Sequence, residues 1–260
     1  MTGERAPADP IQAPGTPERV WRAWRALTDL PRVAPSEMAG PFRAGGLVVV
    51  AAHPDDEILG AGGLIAAHLD TGSRVRVVLL TDGEKSHPGG PIPPPLLRAR
   101  RIRETERALG LLGPAGTSAA EIVRLRLPDT GVAEHEAKAA DTLVALVAGF
   151  GICAAPWSGD VHGDHEAAGR AAALACASAD VAHVQYPVWM WHWARPDDPR
   201  VPWDRAVRVD LTPERRRRKR DAVGCFETQL RPHAPGRDDR VILPPEEIEH
   251  FVRPYEVVFR

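Results

Sequence analysis

From residue 46 onward, short runs of apolar residues alternate along the chain with segments of helical periodicity. Residues 46–52 (GLVVVAA) and 74–81 (RVRVVLLT) predict strands buried on both faces of a sheet. Helical spacing follows them over 57–69 and 96–112. The pattern continues with predicted strands at 122–127, 151–155, 181–186 and 206–211, and with predicted helices at 134–148, at 164–178 and from Thr212 onward. This alternation favours a single Rossmann-like α/β domain, whose mostly parallel sheet has helices on both faces.

The chain divides into an N-terminal extension and this one domain. Residues 1–45 are rich in Pro, Ala and Gly, and a helix-start signal at Thr16 predicts one short helix there. Residues 46–260 form the predicted α/β domain, with a core at 46–180 and a substrate-side part at 181–260. No internal repeat and no linker rich enough to separate a second domain is visible in the sequence.

Charge and composition exclude several classes of function. Lys and Arg total 33 and Asp and Glu total 35, so the net charge is -2 and no nucleic-acid partner is expected. No apolar run approaches the roughly 20 residues that span a bilayer, and no secretory signal is visible, so we expect no membrane partner and a cytoplasmic protein. The 3 cysteines form no CxxC pair, which agrees with that compartment. The sequence is compatible with a homo-oligomer and does not define the oligomeric state.

The first chemically informative stretch is His53-Pro54-Asp55-Asp56-Glu57, directly after the first predicted strand. Ligand sites of open parallel sheets lie beyond the carboxyl ends of the strands. Four ionisable side chains are costly there unless they bind or react with something, and imidazole and carboxylate are suitable ligands for zinc. The alternative is a purely structural role as a capped turn, with Asp55 or Asp56 as the N-cap of the following helix.

The second stretch, Asp160-Val161-His162-Gly163-Asp164-His165, also follows an apolar strand and opens a helix. Two imidazoles and one carboxylate with open coordination positions are typical of a catalytic metal site, whereas structural zinc is usually enclosed by four protein ligands. Gly60-Ala61-Gly62-Gly63 invites a dinucleotide-loop alternative, but Ile65 occupies the position of the third glycine. These glycines are more typical of a helix that packs closely on the sheet.

With these residues the chain resembles the PIG-L/LmbE-like metal-dependent N-deacetylases. The motif AHPDDE at 52–57 and the distal HxDH at 162–165 carry the resemblance, which spans roughly residues 46–180. Weaker matches are TDGE at 81–84, Arg101-x-x-Glu104 and LPD at 127–129. The family often has HPDH where this chain has Gly163 in place of proline, a change that affects loop rigidity more than chemistry.

The resemblance implies a role for each motif residue. It makes His53, Asp56 and His165 the metal ligands, with Zn²⁺ as the cofactor and Fe²⁺ also suited to these ligands. It makes Asp55 the general base and His162 the residue that stabilises the transition state. Asp55 or His162 would protonate the leaving amine, and the sequence does not choose between them.

Elementary chemistry agrees with these roles, because an amide needs a metal to polarise its carbonyl and a base to take the proton of the attacking water. The oxyanion needs a preorganised positive partner, for which a protonated His162 is a candidate. Asp164 has two alternatives of equal weight: it orients the His162 ring, or it caps the following helix.

Other predictions concern the surroundings of this site. Asp82, Glu84 and His87 are expected at its rim, with an ordinary Asp-Gly turn as the alternative. Asp129 is expected to contact polar substrate groups, with a Pro-Asp turn as the alternative. Trp189, Trp191 and Trp193 alternate, so an extended segment would place them on one face as a substrate wall. The basic segments 98–107 and 215–220 are predicted to be solvated helix faces. The alternatives are that Arg98 and Arg101 reach a sugar hydroxyl or phosphate, and that 215–220 is a nucleic-acid patch.

The sequence therefore predicts a metal-dependent hydrolase that removes an N-acetyl group from an N-acetylglucosamine-type sugar or its conjugate. The small-molecule partner would be that amino sugar. One alternative keeps the same site but acts on a larger amide, such as a thiol conjugate or an antibiotic. Another is a non-catalytic binding protein that uses the metal for structure, and the presence of Asp55 and His162 argues against it.

Overall fold

The computed structural model describes residues 10–38, 45–115, 120–233 and 241–260. Within these residues, 7 strands form one sheet in the order β3-β2-β1-β4-β5-β7-β6. The strands are β1 Leu47–Ala51, β2 Val75–Thr81, β3 Glu121–Leu127, β4 Ile152–Pro156, β5 Ala182–Tyr186, β6 Ala206–Asp210 and β7 Tyr255–Phe259. Strands β1 to β5 run parallel to one another, and β7 runs antiparallel between β5 and β6.

Helices precede, connect and follow the strands. They are α1 Glu18–Ala23, α2 Arg25–Thr28, α3 Asp56–Asp70, α4 Pro94–Gly110, α5 Glu136–Val147, α6 Gly163–Ala179, α7 Met190–Trp193, α8 Pro213–Val223, α9 Glu227–Leu230 and α10 Pro245–Phe251. None of the helices in the described part of the chain is both long enough and apolar enough to cross a membrane.

The continuous apolar run of β1 is explained by a core on each face of the sheet. Alternate residues of a strand point to opposite faces, so Val49 packs into the core with α3 and α4, and Val48 into the core with α5 and α6. All five residues of β1 are buried. The prediction of one α/β domain with a mostly parallel sheet covered on both faces is confirmed.

The glycines of α3 let this helix approach the sheet closely. A Cβ atom at Gly60 would overlap the ring of Tyr186 on β5, and one at Gly63 would overlap Leu211. The glycine-rich stretch lies inside the helix, as expected for close packing. A dinucleotide-binding loop at this position is therefore excluded by its helical backbone.

The flanking regions differ more from expectation. The N-terminal segment forms two short helices, because the backbone becomes extended at Trp24 (φ -80°, ψ 103°). Thr16 does not cap α1; its hydroxyl donates a hydrogen bond to the carbonyl of Ala194, 178 residues away. Strand β7 is not predicted from the sequence. The predicted boundary at residue 45 adjoins residues 39–44, which lie outside the described part of the chain.

The run of cations at 215–220 is only partly a solvated face. The prediction is wrong for Arg218 and Lys219, which are 7% and 1% exposed. Lys219 Nζ lies 2.6 Å from Glu256 Oε1 on β7 and donates to the Leu59 carbonyl at 2.7 Å. A buried partner of opposite charge offsets the cost of burying the ammonium group, and the sequence of α8 alone does not contain that partner.

Candidate active site

The two histidine motifs meet at the carboxyl ends of β1 and β4. His53 follows β1, and His162 and His165 lie at the start of α6, which follows β4. The ring centroids of His53 and His162 are 5.0 Å apart, and those of His162 and His165 are 4.6 Å apart. Ligand atoms of the three rings lie within 4.8 Å of one another. All three rings line a cavity of about 580 Å³, within the usual size range of small-molecule sites.

The His53 ring is held between carboxylates. Its Nε2 lies 3.0 Å from Asp164 Oδ2 and 3.3 Å from Asp129 Oδ1, and its Nδ1 lies 3.6 Å from Asp56 Oδ2. Burial opposes protonation, but hydrogen bonds with Asp129, Asp164 and Asp56 outweigh it and raise the pKa of His53 well above 6.5. With Nε2 held by Asp164, Nδ1 is the nitrogen directed at Asp56.

The His165 ring has the complementary arrangement. Its Nδ1 lies 2.7 Å from Asp160 Oδ2, and its Nε2 lies 3.3 Å from Asp56 Oδ1. Burial lowers the pKa of His165, but the charge of Asp56 and the hydrogen bonds to both carboxylates raise it to about 9. Asp56 therefore lies between two imidazoles, each of which has its outer nitrogen bound to a different carboxylate.

This donor set fits a divalent metal such as zinc. Metal-binding histidines usually donate their second ring N–H to a carboxylate, which fixes the tautomer and the orientation of the ring. His53 Nδ1, an Asp56 oxygen and His165 Nε2 are the atoms that would hold such an ion. Besides the group of the three histidine rings, one other group of ligand atoms among the described residues, on His53, Asp129 and Asp164, lies within 4.8 Å. In it, however, both carboxylates contact the same outer nitrogen of His53.

Asp160 is the residue that sequence reasoning missed. It is fully buried, and besides binding His165 it accepts hydrogen bonds from the backbone N–H groups of Val188, Trp189 and Met190. The signal was available, because Asp160 is a charged residue within the quoted motif at the end of a buried strand. Its partners 28 to 30 residues later were not visible from local pattern.

Asp55 lies in the cavity beside this site, and its carboxylate is not bound to the ring of His53 or of His165. Its backbone has φ 122°, an unfavourable conformation for a residue with a side chain, and its carboxylate does not cap α3. Burial raises the pKa of Asp55 to about 7, with Asp56 adding to the rise and Arg101 opposing it. The capped-turn alternative is therefore wrong, since the Asp56 carboxylate accepts from the His53 backbone N–H instead of capping the helix.

Arg101 corrects the prediction that 98–107 is a solvated face. It is 2% exposed, and its guanidinium lies 3.1 Å from Asp55 Oδ2 and donates to the carbonyls of Gly83 and Pro54. Its neighbour on the same face of α4, Glu104, is 4% exposed and accepts from Thr228. The signal was helical spacing, because the buried residues of this face are Leu97, Arg101, Glu104, Thr105 and Ala108.

Both predicted alternatives for Asp164 are wrong. Its carboxylate binds His53 Nε2 and the backbone N–H groups of Thr130 and Val132, so it neither orients the His162 ring by a hydrogen bond nor caps α6. The loop after β3 thus contributes to the position of His53. No local pattern around Asp164 indicates this contact, which joins residues 111 positions apart.

His162 faces the cavity with a different protonation state from the one expected. Burial and the charges of His165 and His53 lower the pKa of His162 to about 3, so its ring is neutral at pH 7. Its Nδ1 has no hydrogen-bond partner among the described residues. A neutral imidazole still has one N–H to donate to a developing oxyanion.

The expected rim residues separate into two groups. His87, Asp129 and Trp189 are among the described residues that line the cavity, whereas Asp82 and Glu84 are not. Asp82 is paired with Arg124, and the carboxylates of Asp82 and Glu84 lie 3.5 and 3.4 Å from the guanidinium of Arg98. These ion pairs give the two carboxylates a structural explanation. Asp129, besides contacting His53, accepts a hydrogen bond from the backbone N–H of Lys85 at 2.6 Å.

The predicted wall of alternating tryptophans is wrong, because the segment is helical. Trp189 precedes α7 and lines the cavity, but Trp191 is 4% exposed and packs edge-on against Trp21 in the core. Alternation places residues on one face only in extended backbone. A single tryptophan of the three therefore reaches the cavity.

The fold and the site together define an α/β protein with a histidine–carboxylate centre at the strand ends. Residues 48–176 match the PIG-L family, described as GlcNAc-PI de-N-acetylase, and this span contains both histidine motifs. The resemblance to this family predicted from the sequence is thus confirmed by a match over about half of the chain, the part that carries the site. No curated protein matches it in a sequence comparison.

Solved structures share the fold. A conserved protein from Thermus thermophilus is 28% identical, with 72% of this chain and 80% of that chain covered and a TM-score of 0.53. N,N'-diacetylchitobiose deacetylase from Pyrococcus horikoshii is 20% identical, with coverage of 85% and 82% and a TM-score of 0.57. The A40926 pseudoaglycone deacetylase Dbv21 is 20% identical, with coverage of 83% and 96% and a TM-score of 0.60.

Proposed function

We propose that this protein is a metal-dependent N-deacetylase that releases acetate from an N-acetylglucosamine-type sugar or conjugate. The observation that carries the proposal is the position of Asp56 between His53 and His165, with the carboxylate of Asp55 beside it in the cavity, bound by Arg101 and by neither imidazole. A purely structural metal site does not require that second carboxylate.

His53, Asp56 and His165 would hold the ion, which when bound polarises an amide carbonyl and makes water more acidic. Asp55 Oδ then accepts a proton from the attacking water, a role that suits a carboxylate in the cavity that is not itself a ligand. Arg101 fixes the position of Asp55 through the contact at 3.1 Å. The neutral ring of His162 donates its N–H to the oxygen on which negative charge develops. Asp55, once it holds that proton, passes it to the leaving amine, because the neutral His162 ring keeps its N–H in the hydrogen bond to the oxyanion.

The sugar substrate is inferred from the family match and from the chemistry of the site. The P. horikoshii relative is a deacetylase of N,N'-diacetylchitobiose, and Dbv21 is a deacetylase of an antibiotic pseudoaglycone. The second candidate, a larger amide, is favoured by one observation: the cavity of about 580 Å³ is much larger than an acetyl group requires.

The test is release of free amine from a panel of N-acetylglucosaminides, with metal-loaded and chelated protein side by side. We expect release that chelation abolishes and that added Zn²⁺ or Fe²⁺ restores. Comparison of the two restored rates identifies the more effective metal. Absence of release from every sugar, with metal bound, would favour the larger-amide alternative. Absence of both release and bound metal would contradict the assignment.

A further inference from the structure

The N-terminal segment preceding α1 runs along the candidate active-site cavity. Ile11 and Gln12 are among the residues that line it, together with the histidines of the site. Both lie far outside the family match at 48–176. The segment therefore adds to the cavity something that the matched part of the chain does not contain.

Helix α7 fixes the path of this segment. The Thr16 backbone N–H donates to the His192 carbonyl at 2.7 Å, and His192 Nε2 lies 2.8 Å from the Ala13 carbonyl. Gly15 lies directly against the His192 ring, where a Cβ atom would overlap it. Trp189, which lines the cavity, immediately precedes α7, and α7 contains His192, which holds the N-terminal segment. One short stretch of chain therefore provides both contacts.

Helix α1 provides a second anchor. Trp21 is fully buried, and its Nε1 donates to the Trp191 carbonyl at 2.9 Å. The buried carboxylate of Glu18 lies 2.8 Å from His250 Nδ1 and forms a two-point ion pair with Arg253. Ile11 and Gln12 are thus tied to the body of the protein through contacts with its C-terminal third.

The cavity residues inside and outside the family match differ in character. Inside the match lie the ionisable groups of the site. Outside it, the lining is mainly apolar: Ile11, Val188, Trp189, Ile242 and Leu243. If the acyl group removed is acetyl, most of the cavity volume of about 580 Å³ is left for the amine-bearing half of the substrate.

We propose that Ile11 and the residues Val188, Trp189, Ile242 and Leu243 form an apolar subsite. Its ligand is an alkyl or aryl group carried on the amine-bearing half of the substrate. This inference rests on the proposed deacetylase function and adds a specificity determinant to it. The N-terminal segment is then part of the substrate-binding surface.

The experiment compares kcat/KM for the methyl and hexyl glycosides of N-acetylglucosamine. We expect the hexyl glycoside to be preferred about tenfold, because burial of roughly two methylene groups gives a gain of that size. In Ile11→Ala the ratio of hexyl to methyl should fall about threefold. Leu174→Ala, on α6 with Leu174 58% exposed, is the control and should leave the ratio unchanged. Equal rates for the two glycosides, or a ratio unaffected by Ile11→Ala, would overturn the proposal.

Two further measurements separate this proposal from the deacetylase function. A preference for N-octanoyl over N-acetyl in the methyl glycoside, without a preference for the hexyl glycoside, would assign the apolar surface to the acyl group and overturn our assignment. Calorimetric titration with hexyl and methyl glucosaminide, which carry no amide, measures the subsite without turnover. Tighter binding of the hexyl compound that Ile11→Ala weakens would support the subsite even if no acetyl sugar is hydrolysed.

Discussion

Two regions of this protein are held together by different physical means. At the carboxyl ends of β1 and β4, carboxylates hold two of the imidazoles: Asp160 binds His165 and Asp164 binds His53, with Asp56 between the rings. The N-terminal segment is fixed by tryptophan packing, by backbone hydrogen bonds to α7 and by the buried ion-pair cluster of Glu18, His250 and Arg253. The reactive groups are thus positioned by charge pairs within the cavity, whereas the N-terminal segment is held by contacts outside it, so substitutions in the two regions should have separable effects.

The largest effect confined to the active site is expected for Asp55→Asn, which should reduce catalysis and leave the fold intact. Asparagine tolerates the φ of 122° at this position better than most residues, so the fold should be retained. An amide cannot accept the proton of the attacking water, and kcat should fall about 10³-fold with metal content unchanged. Steady-state kinetics and elemental analysis of the same sample check this. Near-normal kcat in a metal-loaded variant would remove Asp55 as the base.

Glu18→Gln tests the N-terminal segment, and here we expect a loss of stability with no change at the active site. Burial raises the pKa of Glu18, but hydrogen bonds from His250 and Arg253 outweigh it and lower the pKa from 4.5 to about 2. Because the folded pKa is the lower one, this stabilisation is complete above the unfolded pKa and is lost as pH falls towards 2. It amounts to about 3 kcal/mol.

We therefore expect Glu18→Gln to be less stable than wild type by about 3 kcal/mol at pH 6, with the difference narrowing at pH 3. Urea unfolding of both chelated proteins at the two pH values measures this. Metal affinity at pH 7 should not change. A constant difference across this pH range would mean that the Glu18 cluster does not titrate as the geometry indicates.

Asp160→Asn connects the two regions, because Asp160 binds both His165 and the backbone before α7. An asparagine N–H directed at His165 Nδ1 would favour the tautomer that protonates Nε2, the nitrogen needed for the ion. Metal affinity should fall about 10–100-fold. Competition with a chromogenic chelator measures it, and Asp204→Asn, at an exposed position, is the matched control. Unchanged affinity in Asp160→Asn would count against His165 as a ligand.

The smallest effect is expected at Val161, a β-branched residue with φ 67° between Asp160 and His162. Holding valine in this conformation costs about 1–3 kcal/mol of stability. Glycine relieves that strain, but it loses about 0.5–1 kcal/mol because its unfolded backbone has more conformational entropy. Val161→Gly should therefore gain about 1 kcal/mol of stability, and Val161→Ala much less. Thermal unfolding of both variants checks this, and equal gains would show that the strain comes from the side-chain branch and not from φ.

How much of the site the sequence predicts depends on sequence distance. The positions of His53 and His165 at one edge of the sheet follow from two local facts, an apolar strand before each motif and parallel order between strands. Arg101 was also within reach, since it lies on the buried stripe of α4. The contact between Asp164 and His53 was not, because the two residues are 111 positions apart and strands β2, β3 and β4 lie between them in the chain.

The sequence by itself determined the α/β architecture, the place of the reactive groups and the family, because periodicity and short motifs are local properties of a chain. Only the tertiary structure decided which carboxylate orients which imidazole, because the pairing of charged groups in a buried site depends on the distances that the fold sets between them. It also decided that Arg218 and Lys219 are buried, that the Trp189–Trp193 segment is helical, and that Ile11 lines the cavity. Each of these depends on contacts between segments far apart in the chain, and such contacts leave no pattern in the local sequence.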